Sequence, residues 1–294
     1  MKIIILILLG FIWSVSLCAL PINSTTTSNT LQTPYPILFI HGIAGGFQDW
    51  QPMINKLSSS SFKMGVFYED ELFHNYTNTP PKDNIWLWNI TYYTPNPAIE
   101  SLTGNLTLYT TRLQQMISSI LSITNTQKVI LIAHSMGSLI AQNYMVQSQK
   151  NWDTVHKVVT IGAPFYGVGA SIGIVGQLKD LRPNSTFLTL LHKKWDQFYS
   201  LTNKKWGVIG AIDTQLHKNT PPFLETHTDG GGPGYIKLSS SIPFDEWDEA
   251  FNSHFLRPSY QTTHFGFRQA IIGHHKYLMN HPAVLEAIRW SVKK

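Results

Sequence analysis

The chain has 294 residues, 43% of them hydrophobic and 13% charged, with a formal net charge of +5 and a single cysteine. That apolar share excludes a disordered or coiled-coil chain, and one cysteine excludes both an intrachain disulfide framework and a cysteine-cluster metal site. Lysines and arginines never gather beyond short pairs, so the basic excess leaves no footprint for nucleic acid. The length sets one large domain as the expectation.

The first element in the chain reads as a targeting signal, with a retained N-terminal anchor helix as the alternative. Met1 and Lys2 open onto the apolar run Ile3 to Leu9, extended by Phe11, Ile12 and Trp13, and small residues follow at Ser14, Ser16, Cys18 and Ala19. A basic start, a short apolar run and a small-residue end predict a secretory signal peptide over 1–19, and hence a secreted or exported protein. Residues 20–34 contain the Ser, Thr and Asn-rich stretch Asn23 to Thr33 and read as a flexible leader. The domain proper is expected over 35–294. Asn-x-Ser/Thr sequons stand at Asn23, Asn75, Asn89, Asn105 and Asn184, which would suit a glycoprotein where the host has that machinery.

Strands and helices then alternate. Ile37 to Ile40, Val129 to Ile132 and Val158 to Ile161 are short continuous apolar runs, the pattern of strands buried on both faces of a parallel sheet. Val208-Ile209 and Ala270 to Ile272 read as later members. Leu102, Leu106, Tyr109, Leu113, Met116, Ile117 and Ile120 recur every three or four residues and make one apolar helical stripe. Leu139, Ile140, Tyr144 and Met145 mark a helix directly after the second strand. Pro282 starts a closing helix with Val284, Leu285, Ile288 and Val292 inward. The pattern predicts an α/β fold with a mostly parallel central sheet flanked by helices, its sites at the C-terminal ends of the strands.

One of those ends carries chemistry. Ala133-His134-Ser135-Met136-Gly137 stands between a strand and a helix, with small residues two before and two after the serine. This is a nucleophile elbow: a strained turn lifts the serine oxygen out of the sheet, and a larger flanking side chain would collide with neighbouring backbone. The new helix directs its N-terminal amides toward developing negative charge. A second motif, His41-Gly42-Ile43-Ala44-Gly45-Gly46, follows the first strand and suits the loop that supplies the other oxyanion amide. The amides of Ile43 and Met136 are the candidate pair. The loop lacks the Lys-Ser/Thr of a phosphate-binding loop, so nucleotide binding competes poorly.

With both motifs in place the sequence resembles the α/β-hydrolase superfamily, and within it the secreted lipases and esterases. Phe39 to Gly46 and Ala133 to Gly137 resemble the oxyanion loop and the Ala-type elbow of bacterial lipases. Ile161 to Gly167 is similar to the family's segment after the next strand, and Leu181 to Leu188 to a stretch of its cap region. The resemblance implies an acid and a base later in the chain, in the order serine, acid, histidine. His275, in His275 to Val284, matches the family's histidine loop; His274 adjoins it and is the alternative. Asp229-Gly230, followed by Ile236 to Ser241, is similar to the family's acid loop stretched by Gly231 to Gly234. Asp213 is its rival.

These roles imply a serine hydrolase acting on carboxylic esters, lipid or acylglycerol esters among them, through an acyl-enzyme and without metal or organic cofactor. The expected partner is an acyl ester substrate at a lipid-water interface, with no nucleic acid and no stable protein partner. Thioesterase, acyltransferase and amidase chemistry share the same machinery. A non-catalytic binding protein of the same fold is the other class. The apolar insertion 168–205 is expected either to cap an acyl pocket or to pack as extra helices on the core.

Overall fold

The computed structural model describes residues 31, 33–58, 60–75, 86–96, 100, 103–168, 176–198, 205–213, 229, 236–242 and 265–293. The signal peptide and most of the leader lie outside them. Eight strands form one sheet: β1 (Ile37–Ile40), β2 (Phe62–Val66), β3 (Leu72–Asn75), β4 (Leu87–Thr91), β5 (Val129–His134), β6 (Val155–Ile161), β7 (Trp206–Ile212) and β8 (Phe265–Ile272). Their spatial order is β3-β2-β4-β1-β5-β6-β7-β8. Every pairing is parallel except that of β2 with the edge strand β3.

Side chains that alternate along β1 and β5 are buried on both sides. Leu38, Ile40, Val129, Leu131 and Ala133 join one hydrophobic cluster, and Ile37, Phe39, Ile130 and Ile132 join the other. Two covered faces leave no polar alternation, which is why these strands read as unbroken apolar runs. The first cluster is closed by α2 (Leu106–Thr124) and α3 (Met136–Met145), and the second by α1 (Phe47–Leu57) and the final helix, α7 (Pro282–Ser291). Among the described residues no helix is long and apolar enough to cross a membrane.

The structure differs from the sequence reading where polar residues interrupt a strand. β2 carries exposed Lys63 and also Gly65, and β4 carries Asn89, so neither shows a continuous run. Asn89 is fully buried and its amide donates to the Phe47 carbonyl at 2.6 Å. Its sequon is therefore a structural feature of the sheet, out of reach of a glycan in the folded protein. The long stripe begins as a helix at Leu106 rather than Leu102, because Asn105 caps it: the Asn105 side chain accepts from the Leu108 amide at 2.9 Å. Leu102 lies outside the described residues.

The insertion after β6 contains α5 (Gly176–Asp180) and α6 (Thr186–Phe198), with α4 (Gln149–Thr154) just before that strand. Leu188, Leu191 and Trp195 are its buried face. The Trp195 ring meets that of Trp206 on β7 edge-on, with centroids 4.5 Å apart. In the described part, α6 thus packs on the flank of the sheet.

Candidate active site

β1 pairs with β4 on one side and β5 on the other, so the chain reverses its direction of winding beside β1, where open α/β sheets leave a crevice. The loops after β1, β5 and β8 converge there on a cleft of about 460 Å³, which Gly42, Ile43, Ser135 and His275 help to line.

Ser135 sits between β5 and α3 with φ 53° and ψ −129°, a backbone conformation that L residues rarely adopt. Three contacts hold it there. Its amide donates to the Ile161 carbonyl at 2.9 Å, extending the β5–β6 ladder into the turn. Its own carbonyl accepts from the Ser138 amide at 2.9 Å, and the Ser138 hydroxyl donates back to Ala133 at 3.0 Å. The small flanking residues have a steric cause: a Cβ on Gly137 would stand 2.3 Å from the His41 carbonyl oxygen. Gly42 is under similar pressure, since a Cβ there would lie 2.9 Å from that of Ser135.

The serine hydroxyl is 2.8 Å from His275 Nε2, and His275 Nδ1 is 2.6 Å from Asp229 Oδ2. A carboxylate accepts, so Nδ1–H donates to Asp229 and Nε2 is free to accept from Ser135. Asp229 is fully buried; its Oδ1 accepts from the Ile236 amide at 3.1 Å, and its carbonyl from the His275 amide at 2.8 Å. Gly162, at φ 56°, gives the imidazole room, as a Cβ there would come within 3.1 Å of His275 Nδ1. The structure thus brings Ser135, His275 and Asp229 into one hydrogen-bonded row. Asp213 lies just beyond the end of β7 and takes no place in that row. His274 turns away from it, its Nδ1 accepting from the Lys276 amide at 3.3 Å as the cap of the helical turn His275–Asn280.

Met136 is the first residue of α3, so its amide is among those with no partner inside the helix. Ile43 lines the cleft in a loop that residues outside the motif hold in shape. Tyr92 donates to the carbonyls of His41 and Gly42 at 2.9 and 3.1 Å. Ala44, at φ 54°, donates its amide to the Tyr93 hydroxyl at 3.3 Å, which donates onward to Gln177 of α5 at 2.6 Å. Asp49 accepts from the Gly46 amide at 3.2 Å and closes the loop onto α1. His41 stacks on Tyr92 with centroids 4.1 Å apart, and Nδ1–H donates to the Gly42 carbonyl while Nε2 accepts from Thr91. Burial pulls its pKa down to about 4, so it stays neutral. Behind the loop, Arg112 bonds the Tyr92 carbonyl, Glu100 and Asp70. The tyrosines, Ser138 and Arg112 carry no motif; their signal is a contact that only the fold creates. Among the described residues no group of histidine, cysteine and acidic side chains could hold a metal.

The PGAP1-like alpha/beta domain family matches residues 32–174, which span the loop after β1 and the turn at Ser135. No curated protein matches the sequence. Among solved structures, the product of a Listeria innocua gene is 18% identical with a TM-score of 0.56, the alignment covering 88% of this chain and 94% of that one. The mature form of a Bacillus licheniformis lipase is 12% identical with a TM-score of 0.51, covering 86% and 90%. With the strand order above, these likenesses establish an α/β-hydrolase fold.

Proposed function

We propose that the chain is a serine hydrolase that cleaves carboxylic esters, lipid or acylglycerol esters in particular. The observation that carries this reading is the row Ser135–His275–Asp229, with both hydrogen bonds short and the serine end open to the cleft. In the reaction, Ser135 Oγ attacks the acyl carbonyl as His275 Nε2 takes its proton. Asp229 fixes the imidazole's orientation and stabilises its charge. The amides of Ile43 and Met136 face the tetrahedral oxyanion, each donor contributing about 3 kcal/mol to the transition state. His275 then returns the proton to the leaving alcohol, and water, activated by the same imidazole, frees the acyl group and restores Ser135.

The lipase among the structural relatives supports the ester reading, and the Ser135 hydroxyl bonded to His275 Nε2 supports acyl transfer generally. The insertion 168–205 is proposed as a cap over the acyl site, with Gln177 accepting from the Tyr93 hydroxyl that also holds the Ala44 amide. Residues 1–19 are proposed as a signal that exports the protein; sequencing the N-terminus of the exported chain should find it beginning at or near Leu20. Hydrolysis of p-nitrophenyl esters of graded acyl length tests the activity. Turnover by the wild type, lost in Ser135→Ala, is expected, and equal rates in the two would end the reading. A rising rate with acyl length at an oil-water interface marks a lipase.

A further inference from the structure

The elbow carries a second imidazole that the acyl-transfer steps leave unused. His134 precedes Ser135, is buried, and its ring centroid lies 4.6 Å from that of His275. Its Nε2 is 3.1 Å from the main-chain carbonyl oxygen of His275. A carbonyl only accepts, so the His134 proton resides on Nε2 and Nδ1 is bare. The same residue is tied at its other end, because the His275 amide donates to the Asp229 carbonyl. The main chain of His275 is therefore clamped twice: by the acid's backbone on one side and by the nucleophile's neighbour on the other. These clamps matter because the His275 turn, His275–Asn280, is short and exposes Lys276 and Tyr277.

We propose that His134 is a positioning residue of the site, one that anchors the main chain of His275 to the nucleophile strand and so keeps Nε2 on the Ser135 hydroxyl. It does this as a neutral donor. A second proton would set a positive charge beside the ring that must itself become imidazolium, which disfavours proton uptake by His275. The charged and titratable groups facing His134 are His275 from the turn and His41 from the β1 loop, with Asp229 beyond His275. Burial is the main cause holding His134 well below the ordinary imidazole range, and the nearness of His275 adds to it. The inference rests on the Ser135–His275–Asp229 reading.

The test compares His134→Gln with His134→Met in the full chain. The two side chains are close in size and reach, but only glutamine can donate to the His275 carbonyl. His134→Met should lower kcat and the rate of fluorophosphonate labelling about tenfold at unchanged KM, while His134→Gln stays within about threefold of wild type. In the wild type, the ring-nitrogen NMR shifts of His134 should show the neutral Nε2–H form at pH ~6.5, where an ordinary imidazole is half protonated. Equal rates in the two variants, or a cationic or Nδ1-protonated His134 near pH ~6.5, would overturn the role. If the methionine variant does not fold, the nitrogen shifts decide. Activity that survives Ser135→Ala removes the triad itself, whereas activity lost there but equal in the two His134 variants removes only this proposal.

Discussion

Ser135 owes its position to backbone sterics, whereas His275 and Asp229 owe theirs to polar bonds across the fold. The serine turn is strained, at φ 53°, and is enforced by neighbours that leave no space: Gly137 against the His41 carbonyl, Gly42 against the serine's own Cβ. His275 and Asp229 are held by hydrogen bonds: two between each other, one between His275 and Ser135, one between the His275 carbonyl and His134, and a pair between Asp229 and Ile236. Steric enforcement leaves a local pattern of small residues and tolerates no enlargement. Polar enforcement is non-local and tolerates a change of size better than a change of donor or acceptor.

That contrast can be broken from either side. The largest effect is expected from Asp229→Asn, which keeps the shape but removes the acceptor for the Nδ1 proton. It should lower kcat about 10,000-fold with little change in the melting temperature, as read from ester hydrolysis and thermal unfolding. On the steric side, Gly137→Val should cost about 3 kcal/mol of stability, measured by urea unfolding, because the new side chain meets backbone that cannot move aside.

A smaller effect separates the two sides by pH. His41 has a folded pKa of about 4 against 6.5 unfolded, so the unfolded chain binds the proton first as pH falls. Its contribution is intact above pH 6.5 and erodes from there down to pH 4, amounting to about 2 kcal/mol by pH ~5. His134, lowered in the same direction by burial, adds to the slope. Thermal unfolding of His41→Gln should therefore show a lower melting temperature at neutral pH but a shallower loss on acidification than the wild type. The smallest effects are expected at the rival positions. Asp213→Asn and His274→Ala should leave kcat/KM within about twofold, since neither residue joins the hydrogen-bonded row.

The same contrast decides what could be read from the sequence. β1, β5 and β6 were legible because both faces of the sheet are covered, and the elbow because crowding around Ser135 demands small residues at fixed spacing. β4 was not, because Asn89 breaks its apolar run and its side-chain amide finds an acceptor at Phe47, 42 positions away. Asp229 and His275 could be singled out among several acids and twelve histidines only through a family resemblance, since their bond spans 46 positions and leaves no local pattern. Tyr92, Tyr93, Arg112 and Ser138 had no signal at all. They support the site from loops and helices whose sequences look like ordinary amphipathic packing.

The most direct measurement is to treat the full chain with a fluorophosphonate and locate the adduct by mass spectrometry. One modified residue is expected, Ser135, with labelling abolished in Ser135→Ala and strongly slowed in His275→Ala. An unlabelled protein, or labelling that persists unchanged in Ser135→Ala, would contradict it.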